Sequence, residues 1–243
     1  MKENKYDDIN FFEQYKKMNR SEKGLEGAGE WYILKTMFPD FTGADVLDLG
    51  CGFGWHCRYA IENGAKSVIG IDISEKMLER AKEINNLKGI EYICLPLEET
   101  DYSAKRFDII ISSLAFHYIE SFDVLSKNVY KWLKPGGSFI FSVEHPIFTA
   151  FGTQDWFYDE KGKKLHWPVD NYFIEGQRET TFLGEKVIKY HKTLTIYLNS
   201  LLKEGFTIKE IIEPEPSREM LKEYSEMKDE LRRPMMLLIS VNK

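Results

Sequence analysis

The chain has 243 residues, 43% of them hydrophobic and 14% aromatic, and a formal charge of −6; that is enough for one large domain, or one domain with an elaboration. The acidic balance disfavours nucleic acid and other polyanions, which usually call for a basic footprint; the nearest candidate, residues 186–192, also carries apolar residues and reads as a half-exposed strand. Three cysteines at no pairing or metal-ligand spacing, a polar start over Met1 to Asn10 and the absence of a bilayer-length apolar run predict a cytoplasmic protein with neither metal nor membrane partner.

An N-terminal arm comes first, over residues 1–40, with Ser21 to Phe38 predicted helical in spite of Gly24, Gly27 and Gly29. From residue 45, apolar strands and amphipathic helices alternate. Val46-Leu47-Asp48-Leu49 is a short buried strand, followed by a glycine turn and a helix through Tyr59, Ala60 and Ile61. Residues 67–72 make a second strand, after which Ser74 caps a helix with Met77, Leu78, Ala81 and Ile84 on one face. Strands follow at 91–95 and 107–112. A helix carrying Leu125, Val129 and Trp132 stops at Pro135-Gly136-Gly137, and 139–143 is a fifth strand.

The rhythm breaks over 146–190, a stretch rich in aromatics and without helical period, which reads as an insertion with hairpin character at 172–182 and 185–190. A helix near 193–203, a sixth strand at 206–212, a charged helix at about 218–230 and a final strand at 235–241 follow. The core is thus divided into 41–145 and 191–243. Strands apolar on both faces and separated by helices indicate an α/β fold, a doubly wound and mainly parallel seven-stranded sheet with an aromatic-rich insertion after strand five.

The central chemical signal is Val46-Leu47-Asp48-Leu49-Gly50-Cys51-Gly52-Phe53-Gly54. Glycines after a buried strand let the backbone turn sharply and let a ligand touch the main chain. Dinucleotide-binding turns place glycine at relative positions 1, 3 and 6. Here the glycines stand at 1, 3 and 5, and position six is Trp55, which would obstruct a pyrophosphate. A ligand without one fits better: an amino acid joined through sulfur to adenosine, with Asp48 serving its charged end directly or through water. Asp72 ends the second strand at the right distance for a carboxylate that accepts both ribose hydroxyls.

With these two signals the chain resembles the class I S-adenosylmethionine-dependent methyltransferases, over about Asp45 to Val143. The resemblance implies a Rossmann-like methyltransferase fold, S-adenosylmethionine as cofactor and S-adenosylhomocysteine as product. It implies that Gly50, Cys51, Gly52 and Gly54 form the turn on the methionine part, that Asp72 binds ribose, and that Ile73 packs on adenine. The loop after strand three departs from the family: Pro96 stands where an acid is common, which leaves the adenine contact to the Leu97 backbone and Glu98. The run Phe107-Asp108-Ile109-Ile110-Ile111-Ser112-Ser113-Leu114-Ala115 matches the strand-four motif and implies that Ser112 and Ser113 lie beside the sulfonium; Leu133-Lys134-Pro135-Gly136-Gly137-Ser138 matches the turn before strand five. The Asn19-Arg20-Ser21 to Gly29-Glu30-Trp31 stretch and the Val143-Glu144-His145-Pro146 step resemble a bacterial small-molecule subgroup.

Methyl transfer from a sulfonium needs alignment and exclusion of water, and a base only where the acceptor must lose a proton. His117, just past strand four, and Glu144 with His145, just past strand five, are the candidates for that base; His117 alternatively packs on the cofactor or fixes a loop. The insertion is read as a substrate lid over a small-molecule acceptor, its aromatics alternatively forming a satellite core or a homodimer interface. Arg20 or Arg178 would pair with an acceptor carboxylate, with Trp31 and Tyr172 as further substrate contacts. Two other readings stand beside this one: a non-catalytic cofactor-binding or regulatory protein on the same fold, and an NAD(P)-dependent oxidoreductase, which Trp55 opposes.

Overall fold

The protein is described, in a computed structural model, from residue 4 to residue 243; the first three positions of the arm expected over 1–40 lie outside the described residues. A single 3-10 turn precedes α1 (Ile9–Lys16), whose N-terminus is capped by Asp8, its carboxylate accepting from the Asn10 and Phe11 amides. The helix expected over Ser21 to Phe38 is instead a chain of short pieces, α2 (Asn19–Glu22), a 3-10 turn at Gly24–Gly27, α3 (Trp31–Leu34) and a further 3-10 turn. Glycine explains the breaks. Gly24 has φ of +63°, and a Cβ at Gly27 would fall 2.1 Å from the Asn19 carbonyl oxygen, so the chain doubles back where no other residue fits.

The core then runs β1 (Asp45–Leu49), α4 (Trp55–Glu62), β2 (Ser67–Asp72), α5 (Glu75–Ile84), β3 (Ile90–Cys94), β4 (Phe107–Ser113), α6 (Phe122–Trp132) and β5 (Leu133–Glu144). After α7 (Pro146–Thr149) come two hairpins, β6 (Phe157–Tyr158) with β7 (Lys164–His166), and β8 (Gly176–Phe182) with β9 (Glu185–His191). The chain closes through α8 (Leu194–Glu204), β10 (Thr207–Ile212), α9 (Arg218–Glu223), α10 (Met227–Glu230) and β11 (Met236–Asn242). The charged helix expected over about 218–230 is thus two helices, separated where Tyr224 turns to extended backbone.

The main sheet has seven strands in the order β10-β11-β5-β4-β1-β2-β3. Neighbours from β3 to β5 are parallel, and β11 runs antiparallel to both β5 and β10. Alternate residues of each strand serve opposite faces, and both faces are apolar: Leu47, Leu49, Ile110, Phe139 and Phe141 pack under α6 and α8, while Val46, Ile109, Ile111 and Ile140 pack towards the arm and α4. That double burial is why these strands read as unbroken apolar runs.

The insertion divides in two. Phe148, Trp156 and Trp167 gather round the Arg233 guanidinium, which lies 4.2 Å from the Trp167 ring centre and 4.7 Å from that of Phe148. These aromatics form a satellite core, while the β8–β9 hairpin reaches back to the arm, where Phe182 meets Phe11 edge to face.

Candidate active site

Strand order reverses after β1: β2 and β3 lie on one side of it and β4 and β5 on the other, so a crevice opens at the carboxyl end of β1. The glycine turn stands there. The Gly50 and Cys51 amides both donate to the Ile71 carbonyl at 2.8 Å, and the Ser112 hydroxyl donates to the Leu49 carbonyl at 2.6 Å, fixing the turn to both neighbouring strands. Gly50 has φ of +76°, and a Cβ on it would meet that of Ala115 at 2.4 Å, so glycine is required on conformation and on space.

Asp72 binds the turn from the next strand. Its Oδ2 accepts from the Gly52 amide at 2.9 Å and its Oδ1 from the Ser74 amide at 3.0 Å. Burial pushes its pKa up, and the two amides work against that rise. Each carboxylate oxygen keeps acceptor capacity after one bond.

A cavity of about 800 Å³ runs from this point. Gly50, Cys51, Gly52, Asp72, Ile73, Leu97 and Glu98 line one part, and Ser113, His117 and Glu144 line another. The arm adds Tyr6, Tyr15 and Arg20, and the β8–β9 hairpin adds Gln177, Phe182 and Tyr190. Arm and hairpin meet through a Lys5–Glu185 ion pair of 3.1 Å, and the arm touches the turn after β4 through the Tyr6 and Tyr118 hydroxyls, 3.1 Å apart.

Several expected site residues stand elsewhere. Asp48 does not line the cavity: it is buried on the other side of β1, accepts from the Cys57 thiol at 3.2 Å, and is pushed up by burial to about 7. Gly54 begins α4 with φ of +74°, where a Cβ would strike the Tyr92 hydroxyl, and Ser112 is spent on Leu49. His145 caps α7, its Nδ1 accepting from the Ile147 amide, and its Nε2 faces Glu213 at 2.7 Å; it is a structural cap outside the cavity. Trp31 packs on Tyr59 and donates to Glu26. The Tyr172 hydroxyl accepts from the Leu194 amide, and Arg178 donates to the carbonyls of Ala150, Gln177, Asn171 and Ile174. Tyr172 and Arg178 hold the insertion in place, Trp31 packs within the arm against α4, and none of the three is among the residues lining the cavity.

His117 and Glu144 do come together. His117 is 3% exposed, its Nε2 stands 4.0 Å from Glu144 Oε1, and its Nδ1 has no hydrogen-bond partner. Burial pushes His117 down to about 3, so the imidazole is neutral near pH 7. Glu144 accepts from Lys189 at 2.6 Å on one oxygen and from Gln154 at 2.6 Å on the other. Burial raises Glu144, but the Lys189 charge and these bonds outweigh it and hold the group below its ordinary value. The Glu144 carboxylate favours the tautomer with its proton on Nε2, leaving the Nδ1 lone pair free.

Two further groups were not singled out as site residues. His56 lines the cavity against Trp31, where burial lowers it to about 4. Lys189 sits in β9 between Val187 and His191, all three buried. That alternation was readable, but the many lysines around it make the strand look half-exposed.

The low values of His117 and His56 fix a pH dependence. The unfolded chain, with ordinary histidines near 6.5, binds protons in a range where the folded chain does not, so stability falls as pH drops below about 6.5. Thermal melts from pH 7.5 to 5 should show Tm falling with pH, and His56→Gln should flatten the slope. Asp48, raised by burial, works in the opposite direction, so the decisive comparison is between variants: a slope that His56→Gln leaves unchanged would contradict the burial of that ring.

The cleft suits an amino-acid nucleoside. It offers main chain at a glycine cradle, a buried carboxylate for a diol, apolar Ile73, Leu97 and Met77 beside it, and a guanidinium at Arg20. Among the described residues no cluster of three metal-binding side chains occurs, and no helix is long and apolar enough to cross a membrane. The sequence model of a family described as a methyltransferase domain matches residues 47–141. A Listeria monocytogenes structure assigned to the S-adenosylmethionine dependent methyltransferases is 57% identical, covers 90% of this chain and 99% of its own, and superposes with a TM-score of 0.86. An S-adenosylmethionine dependent methyltransferase from Mesorhizobium loti is 43% identical over 90% of this chain and 100% of its own, with a TM-score of 0.84. An uncharacterized protein of Haemophilus influenzae is 34% identical over 98% of this chain and 96% of the relative.

Proposed function

The chain belongs to the class I S-adenosylmethionine-dependent methyltransferases, and from that premise we propose that it methylates a small-molecule acceptor held beside His117. The observation that carries the proposal is the buried, neutral His117, its Nδ1 unpartnered, among the residues that line the same cavity as Asp72 and the glycine turn.

When bound, the cofactor supplies an electrophilic methyl group on a positively charged sulfur. Gly50, Cys51 and Gly52 present main chain to its methionine part, Asp72 accepts from the ribose hydroxyls, and Ile73, Leu97 and Glu98 line the place for adenine. Ser113 lies at the end of β4 towards the reacting centre. His117 Nδ1 takes the proton of an acceptor hydroxyl or amine as the methyl arrives, and the Glu144 carboxylate steadies the imidazolium that results. The Phe182 and Tyr190 side chains and the arm tyrosines limit water and favour an acceptor small enough to be enclosed. The net charge of −6 supports the same reading, since it disfavours nucleic acid.

The test is transfer of labelled methyl from S-adenosylmethionine to fractionated metabolites, proteins and nucleic acids. Label is expected in the metabolite fraction alone; label confined to protein or nucleic acid would overturn the small-acceptor reading. Asp72→Ala serves as the control for the cofactor site. It removes two charge-assisted bonds worth about 1.5 kcal/mol each at least, so S-adenosylhomocysteine should bind about 100-fold more weakly by calorimetry.

A further inference from the structure

Asp48, the acid expected at the charged end of the cofactor, is turned away and used by Cys57, so the amino-acid head needs another partner. Resting on the cofactor placement above, we propose that the N-terminal arm provides it: Arg20 binds the cofactor carboxylate, and Glu30 is the positioning residue that holds Arg20 in place.

Position comes first. With ribose at Asp72 and adenine towards Leu97 and Glu98, the remaining part of the ligand extends from β2 across the glycine turn towards β4. Arg20 is tied to that end of the cleft. Its Nη2 donates to Glu30 Oε1 at 2.6 Å, and the same oxygen accepts from the Ser113 hydroxyl at 3.2 Å, at the carboxyl end of β4. Ser113 and Arg20 both line the cavity, and Arg20 is the one guanidinium that does so among the described residues.

The chemistry agrees. The Glu30 bond uses one N–H of a guanidinium that carries five, so the fork keeps donors for a second carboxylate. Burial works against the Arg20 charge, yet the Glu30 carboxylate holds it firmly protonated. Glu30 itself is 1% exposed, and its Oε2 has no hydrogen-bond partner. Glu30 is not among the residues lining the cavity, so it acts on the ligand through Arg20, which is. A carboxylate thus meets a guanidinium already charged and held in place, and an acceptor carboxylate is not needed to explain Arg20.

The ligands that separate the possibilities are S-adenosylhomocysteine, which has the amino-acid head, and 5′-methylthioadenosine, which lacks it. Calorimetry on Arg20→Met should show S-adenosylhomocysteine weakened 10- to 100-fold, as expected for one charged bidentate contact, with methylthioadenosine binding unchanged. Glu30→Gln should show the same selective loss to a smaller degree, and Arg20→Lys partial rescue. The double variant Arg20→Met with Glu30→Gln removes both buried charges, so it tests the same point if the single variant is poorly folded. Equal losses for both ligands would make the pair a structural brace, and unchanged affinity for S-adenosylhomocysteine would release Arg20 to the acceptor; either result overturns the inference. Failure of methylthioadenosine to bind the native chain would instead strike the cofactor placement itself.

Discussion

Replacing His117 by Asn is expected to slow methyl transfer by about 10²- to 10⁴-fold, the usual contribution of a positioned general base, while S-adenosylhomocysteine binds as before. Asparagine keeps a polar atom near the place of Nδ1 but cannot take up a proton. The split between rate and cofactor affinity matters, because His117 lies on the same cavity wall as Ser113 and a packing role would disturb both. The pH dependence gives a second readout. Burial lowers His117 to about 3, so the ring is already in its basic form around neutrality and no fall in rate with a midpoint near 6.5 should arise from it. Turnover of a hydroxyl acceptor at native rate by His117→Asn would leave the histidine a purely positional role.

Lys189→Met is expected to destabilise the protein by about 3–5 kcal/mol, because it leaves the Glu144 carboxylate buried beside an apolar chain. Lys189 is 3% exposed and Glu144 13%, and the ammonium is bound to both Glu144 and Gln154. At about 2–4 °C per kcal/mol for a chain of this size, Tm should fall by roughly 6–20 °C. Changing Glu144→Gln in the same chain removes the stranded charge and should restore much of the loss, although methyl transfer stays impaired. Thermal and urea denaturation of the native chain, both single variants and the double variant measure the coupling directly. A Lys189→Met protein as stable as the native one would mean that Glu144 is hydrated or protonated there.

Local sequence pattern carries most information where burial fixes both faces of an element. Periodicity in the core strands is strong because both faces are buried, and the glycine turn with Asp72 states its own backbone requirements. The sheet and the meeting of the glycine turn with Asp72 were therefore legible. Asp48 was misplaced because a strand-end acid looks alike whichever face it serves; a one-residue change of direction sends it to Cys57 and away from the cleft. His145 followed Glu144 so closely that both were expected at one site, yet Glu144 ends β5 while His145 already caps α7, its ring used on the Ile147 amide and Glu213. Tyr172 and Arg178 carry no period, and they are used on backbone groups such as the Leu194 amide and the Ala150 carbonyl, while Trp31 is used on the Glu26 carboxylate and the Tyr59 ring. Arg20 was seen, but the purpose assigned to it depended on Glu30 and Ser113, which only the folded chain brings to it.

The position of β11 bears on how the molecule is made. This strand lies between β5 and β10, yet it follows every other strand in the chain. Until residues 236–242 leave the ribosome, the Phe139, Phe141 and Val143 strand has one bare edge, and α8 has only part of its floor. A bare apolar edge invites pairing with another nascent chain. The cofactor half, β1 to β4, can assemble during translation, but the sheet is sealed only after its last strand has been synthesised. Protection from aggregation is thus needed late in synthesis, when most of the chain already has its final contacts.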